Sequence, residues 1–175
     1  MLLGLGKLGP ATMTGNTFIM KPSPYTPYTD LKLGELGMSI FLPGVFQVLC
    51  GGDDSGPMLT EHPGIDKVAF TGSIFTRKKI MESCAKTLKR VALELGGNDS
   101  AIVCEDVDID KIVPKIATLL FLNSGQICML VKRLFVHEKI YDQFLDAMVQ
   151  FTKTLKTGDG FESDVLLGPL QNSRQ

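Results

Sequence analysis

The sequence predicts an α/β chain, a parallel sheet with helices on its faces. Two observations carry that expectation. Short apolar, β-prone runs alternate with longer amphipathic stretches, the pattern of parallel strands joined by helical crossovers. At 175 residues, 44% hydrophobic and 21% charged, the chain also lies in the globular range and can bury one core or two small ones.

The strand runs are Thr17 to Met20, Val45 to Cys50, Lys67 to Phe70, Lys89 to Glu94, Ser100 to Val103 and Lys132 to Val136. Between them, helices are expected near residues 26–39, 54–61, 73–86, 108–124 and 138–156. The opening MLLGLGKLGPATMTG is apolar, but Gly4, Gly6, Lys7 and Gly9 break the run and no basic segment precedes it. It reads as part of the fold and not as a targeting signal. The helix near 26–39 holds Gly34 and Gly37, each costing about 1 kcal/mol relative to alanine, so it needs tertiary support.

Asp108 or Asp110 caps the helix over 108–124. A start at Asp110 puts Pro114 in or just after the first turn, where its missing N–H costs least, whereas a start at Asp108 favours a kink. The last helix carries Ile140, Phe144, Met148, Phe151 and Leu155 at spacings of 3 or 4, an apolar stripe that must lie on a core. Gly96-Gly97 follows a strand without a helix pattern and marks the expected boundary between a half over residues 1–96 and a half over 97–175. The tail, Thr157 to Gln175, is rich in Gly, Ser and Asp and reads as turn and loop.

Eighteen Lys+Arg against 19 Asp+Glu leave a formal charge of -1, so no net field gathers nucleic acid or an anionic membrane. No run reaches the roughly 18 apolar residues of a membrane span. Cys50, Cys84, Cys104 and Cys128 are far apart, with no C-x-x-C and only His62 and His137 as imidazole ligands, which argues against a metal site. They read as reduced thiols of a cytoplasmic chain, three of them packed in a core.

Four places carry residues suited to chemistry, and each has a plainer reading. Cys128, in NSGQIC, follows an apolar helix pattern and precedes a strand; a thiol in such a turn can have its thiolate stabilised by backbone N–H groups, although a buried structural cysteine is commoner. Glu94 ends the strand VALEL, at the edge where open α/β sheets bind ligands, and partial burial would raise its pKa towards that of a general base; a surface glutamate is the alternative. Gly72 and Ser73, in AFTGS, stand where a strand turns into a helix and could receive a phosphate, or form an ordinary capped turn. Lys21, in MKPSPYTP, could bond a cofactor ribose or be solvated.

Taken in order, GNTFIMKPSPYTP, LPGVFQVLCG, VAFTGS, VALELGGN and NSGQIC resemble the aldehyde dehydrogenase superfamily through almost the whole chain. The resemblance implies a partial Rossmann-like dinucleotide-binding domain joined to part of an α/β catalytic domain, with NAD or NADP as cofactor and an aldehyde as substrate. It implies Cys128 as the nucleophile, presented by the turn at Gly125 and Gln126, and Glu94 as the base that activates water against a thioester. It places Lys21 and Ser23 at the adenosine ribose, Gly72 and Ser73 at the pyrophosphate, and Leu95 and Gly96 beside the nicotinamide.

Three positions depart from the family pattern. Pro24 stands where many NAD-preferring relatives have a glutamate, and loss of that carboxylate removes repulsion against a 2′-phosphate. Arg77 replaces a common glycine, adding a cation that either crowds the cofactor or attracts its phosphates. Asn98 replaces a common lysine.

The match covers about a third of a family subunit. An oxyanion-holding asparagine, a second ribose-binding glutamate and an assembly arm are expected outside it. An incomplete sheet exposes an edge and apolar faces, so a homo-oligomer or a complementing chain is the expected partner. A catalytically impaired remnant or binding module, and a residual esterase acting through Cys128, stand as alternatives to the dehydrogenase.

Overall fold

A computed structural model describes residues 2–175. The chain divides into two compact units, one ending at Leu95 and one running from Gly96 to Gln175.

The first unit contains α1 (Leu2–Met13), β1 (Phe18–Met20), α2 (Tyr28–Gly37), β2 (Phe46–Val48), α3 (Ser55–Glu61), β3 (Lys67–Thr71), α4 (Ile74–Ala85) and β4 (Arg90–Glu94). β1 pairs parallel with β2, Phe18 opposite Phe46, and β3 pairs parallel with β4, from Lys67 opposite Arg90 to Thr71 opposite Glu94. Parallel neighbours need a crossover, which α2 and α4 provide.

The glycines of α2 explain its tertiary support. A Cβ at Gly34 would stand 2.8 Å from Val48 Cγ2, and one at Gly37 would stand 2.5 Å from Phe46 Cδ1. The bare backbone therefore lets the helix lie directly on β2, above a core of Leu8, Met20 and Phe46. Helix α1 was not among the expected elements, because three glycines and Pro10 argue against a helix by propensity. Packing overrides that: Leu8 is buried, and Gly4 sits so close to β1 that an added Cβ would be 2.6 Å from Met20 Cε.

The second unit contains β5 (Asp99–Val103), α5 (Ile109–Phe121), β6 (Val131–Val136) and α6 (Tyr141–Lys153). β5 pairs parallel with β6, Ala101 opposite Leu134 and Val103 opposite Val136. Val103, Ile109, Val113, Ile116, Ala117, Phe144 and Met148 form its core. The α6 stripe lies on that core as expected, with Phe144 and Met148 buried and Ile140 and Phe151 packed beside them. On the strands' other face Ile102 and its partner Phe135 are exposed.

The cap of α5 is Asp108, whose carboxylate accepts from Lys111 N at 3.2 Å. Of the two starts the sequence left open, the helix takes Asp108: Pro114 lies beyond the first turn, and α5 runs through it to Phe121 as one helix. The tail folds back on itself, with Leu166 N and Leu167 N donating to Lys156 O and a parallel bridge between Thr157 and Leu167. Among the described residues no helix is long and apolar enough to cross a membrane, and no group of His, Cys, Asp or Glu is arranged to hold a metal ion.

Candidate active site

In the first unit the candidate residues each lie at or just past the carboxyl end of a parallel strand, the edge where open α/β sheets receive ligands. Thr71 and Glu94 close β3 and β4 in register, and Gly72 N donates to Glu94 O at 3.0 Å. The backbone thus ties the glycine of the FTGS turn to the candidate carboxylate. Ser73 caps α4: its hydroxyl accepts from Thr76 N at 3.2 Å and lies 3.0 Å from Thr76 Oγ1. At a helix start the first N–H groups have no acceptor within the helix and carry positive potential. The Glu94 side chain is exposed, so the partial burial expected of a general base is not found within this unit.

Lys21 follows β1, is half-buried, and donates to Pro22 O at 3.0 Å. Ser23 Oγ accepts from Tyr25 N at 3.3 Å, a local turn bond. Arg77 N donates to Ser73 O in the opening turn of α4, and the buried Nε of its side chain has no acceptor among the described residues. Lys7 was not singled out from the sequence. From α1 its ammonium donates to Thr71 Oγ1 at 2.8 Å, next to the FTGS turn. A lysine inside an apolar, glycine-broken run offers no signal for such a role. Between α3 and α4 a groove of about 240 Å³ is lined by Pro57, Thr60, Thr76, Lys79 and Ser83 among others, and Thr76 lies one turn beyond the Ser73 cap.

In the second unit the chain leaves α5 through a short 3-10 segment, Leu122–Gly125, whose inner residues are left-handed. Asn123 (φ 53°, ψ 37°), Ser124 (φ 56°, ψ 35°) and Gly125 (φ 76°) follow one another in that conformation. For a non-glycine residue this costs about 1–2 kcal/mol, so the surroundings must hold it. Cys128 lies three residues past this turn with its side chain exposed. Gly97 packs against it from β5's approach: a Cβ there would stand 2.7 Å from Cys128 O and 2.8 Å from Asp99 Oδ2. Leu95 closes the first unit and Gly96 opens the second.

The four thiols are free, and Cys50, Cys104 and Cys128 are exposed while Cys84 alone is buried. This corrects the expectation of three core cysteines. Cys50 and Cys104 lie in loops just past β2 and β5; the strand expected over Val45 to Cys50 ends at Val48, before the first of them. Burial pushes the Cys84 thiol above its ordinary value, an effect the positive charge of Lys89 only partly offsets. Cys84 is therefore a poor nucleophile by both access and ionisation.

The aldehyde dehydrogenase family model matches residues 1–175. The chain belongs to that family. It is 44% identical over 175 residues to a putative aldehyde dehydrogenase, FUS7, of Gibberella fujikuroi, covering 100% of this chain and 36% of that protein. Over 177 residues it is 44% identical to the chloroplastic betaine aldehyde dehydrogenase of Beta vulgaris, covering 35% of it. Among solved structures, gamma-glutamyl-gamma-aminobutyraldehyde dehydrogenase of Burkholderia cenocepacia matches 99% of this chain with a TM-score of 0.94 at 35% identity, over 36% of its own length. PnpE in complex with nicotinamide adenine dinucleotide matches 95% of this chain at 40% identity with a TM-score of 0.91, over 34% of its length. An NADP dependent enzyme of E. coli gives 40% identity and a TM-score of 0.91. The aldehyde dehydrogenase segment described here spans about 36% of the length of the curated relatives it matches.

Proposed function

We propose that this segment contributes the nucleophile, the water-activating base and part of the cofactor site of an NAD- or NADP-dependent aldehyde dehydrogenase, oxidising an aldehyde to a carboxylate. The observation that carries the reading is Cys128: a free, exposed thiol just beyond a left-handed turn, in a chain of this family. Cys128 Sγ, as thiolate, attacks the aldehyde carbon and forms a C–S bond. A nicotinamide dinucleotide, when bound, supplies the oxidant that takes a hydrogen with its electron pair and leaves a thioester on Cys128. Glu94 takes a proton from water, the water oxygen bonds the thioester carbon, the C–S bond breaks and the thiolate returns.

In this reading residues 1–96 form the dinucleotide-binding part and 97–175 the catalytic part. Lys21 and Ser23 hold the adenosine ribose, Gly72 and Ser73 the pyrophosphate, and Leu95 and Gly96 flank the nicotinamide. The opening turn of α4 fits an anionic group: it offers helix N–H donors behind a glycine, and the buried Arg77 Nε still lacks an acceptor. Pro24 leaves room for either NAD or NADP. Exposed Ile102 and Phe135 suit a chain that is covered by a further copy or a complementing chain.

The test mixes the chain with an aldehyde and either cofactor and follows reduced nicotinamide. A burst that disappears in Cys128→Ala, and a steady-state rate that falls about 100-fold in Glu94→Gln while the burst persists, is the expected outcome. Reduction that survives in Cys128→Ala overturns the nucleophile, and an unchanged steady state in Glu94→Gln overturns the base. Ester hydrolysis dependent on Cys128 without any cofactor reduction shows a residual esterase. Silence in both assays, with Cys128 alkylated no faster than Cys84, shows a non-catalytic remnant.

A further inference from the structure

The left-handed turn before Cys128 is not held by its own helix but by the chain's tail. Ser124 Oγ donates to Gly168 O at 2.8 Å. Gln126 bonds in three directions: its Nε2 donates to Asn123 O at 3.1 Å and to Pro169 O at 3.4 Å, and its Oε1 accepts from Gln171 N at 3.0 Å. The Gln126 backbone N–H also donates to Asn123 O at 3.1 Å, closing the turn. Ser124 and Gln126 are both half-buried, whereas Asn123, Gly125 and Cys128 around them are exposed. The tail is itself anchored, through the bonds of Leu166 and Leu167 to Lys156 just past α6.

We propose that Gln126 is a positioning residue for the Cys128 thiol, acting by clamping the left-handed turn to a strap formed by Gly168–Gln171. This rests on the reading of Cys128 as the nucleophile. A carboxamide suits the task because it donates and accepts at once: here it satisfies a carbonyl inside the turn, a carbonyl of the strap and an N–H of the strap. Without the clamp, two non-glycine residues in the left-handed region keep only the Ser124 bond to Gly168 O and the turn's own backbone bond, and the segment leading to Cys128 relaxes towards commoner backbone conformations. How readily a thiol reacts depends on where its backbone holds it, so relaxation alters the alkylation of Cys128.

The experiment measures iodoacetamide alkylation of each cysteine across pH in the full chain, beside amide hydrogen exchange at Gln171. Gln126→Met keeps the side chain's length and removes all three bonds of the carboxamide. The expected result is at least roughly ten-fold faster exchange at Gln171 and a shifted Cys128 pH–rate profile, with Cys50 and Cys104 unchanged as reporters of an intact fold. Ser124→Ala, which removes one anchor and keeps Gln126, shifts the Cys128 profile in the same direction by less, and serves if Gln126→Met does not fold. A Cys128 profile that stays within about two-fold in both variants, although exchange at Gln171 rises, overturns the positioning role and leaves a purely structural strap. A Cys128 that matches Cys50 and Cys104 already in the unsubstituted chain overturns the nucleophile reading itself.

Discussion

Two turns carry the candidate chemistry, and they are built on opposite principles. The turn at Gly72–Ser73 opens a helix, and its backbone needs little beyond a serine cap and a glycine where a side chain would meet Phe70. The turn at Asn123–Gly125 closes a helix, with three successive left-handed residues secured by bonds to a distant tail. A helix start offers N–H donors and positive potential without further construction, so it can receive an anion cheaply. A helix end offers carbonyls and negative potential, which disfavour a thiolate. The left-handed turn with its strap separates Cys128 from that end of α5.

The largest effect that would sharpen the contrast comes from the glycines. An alanine Cβ at Gly97 would meet the Cys128 carbonyl at 2.7 Å, a backbone atom that can yield only if the turn itself shifts. Gly97→Ala is expected to cost about 1–3 kcal/mol, seen as a lower urea midpoint, and to change the alkylation rate of Cys128. At Gly96 an added Cβ would meet nothing within 4 Å, so Gly96→Ala serves as the control and should stay within about 0.5 kcal/mol. Gly72→Ala should fall between them, since its clash is with the half-buried ring of Phe70, which can rotate. Equal costs at positions 72 and 97 would break the comparison, because they would mean that the second turn is no more tightly constrained than the first.

A smaller effect probes the first turn. Ser73→Ala removes the cap bond to Thr76 N and should cost about 1 kcal/mol. Ser73→Asp should recover it, since a carboxylate also caps and suits the positive end of α4. If Ser73→Ala leaves the urea midpoint in place, the cap is not what holds this turn.

The difference between the turns also decides what could be read from sequence. Alternating patterns located β1 to β6 and α2 to α6 to within a few residues, because apolar periodicity reports which face is buried. The turn at Gly72 and Ser73 was legible as a capped start of α4, because a Gly-Ser pair between a strand and a helix pattern builds such a turn from local residues alone. Helix α1 was not, since its glycines and proline lower propensity and its stability comes from Leu8 and from the approach of Gly4 to Met20, neither visible locally. The strap was invisible for the same reason: Ser124 and Gln126 meet partners more than 40 residues away, in a tail with no periodic pattern. Thiols expected in a core by the usual fate of cysteine stand exposed at Cys50 and Cys104, because β2 and β5 end before them.

The smallest effect compares the two caps themselves. Asp108 opens α5 as Ser73 opens α4, but its cap is ionised: bonds from the Lys111 side chain and backbone N–H hold its carboxyl below the ordinary value of 3.8. A carboxyl lowered in the folded state contributes stability that is fully present above the unfolded value and is lost as the pH falls through the lower folded one. The carboxylate is exposed, so solvent and salt screen the contribution. Asp108→Asn keeps a capping side chain and removes only the charge. The urea midpoints of the two chains should therefore differ slightly near neutral pH and converge as acid protonates Asp108, with the gap narrowing further in high salt. Ser73→Ala should show a gap to the parent that does not change over the same range, because a hydroxyl does not titrate there. A pH-independent gap for Asp108→Asn would show that the two helices begin with equivalent neutral caps, and that the charge on Asp108 contributes nothing to the start of α5.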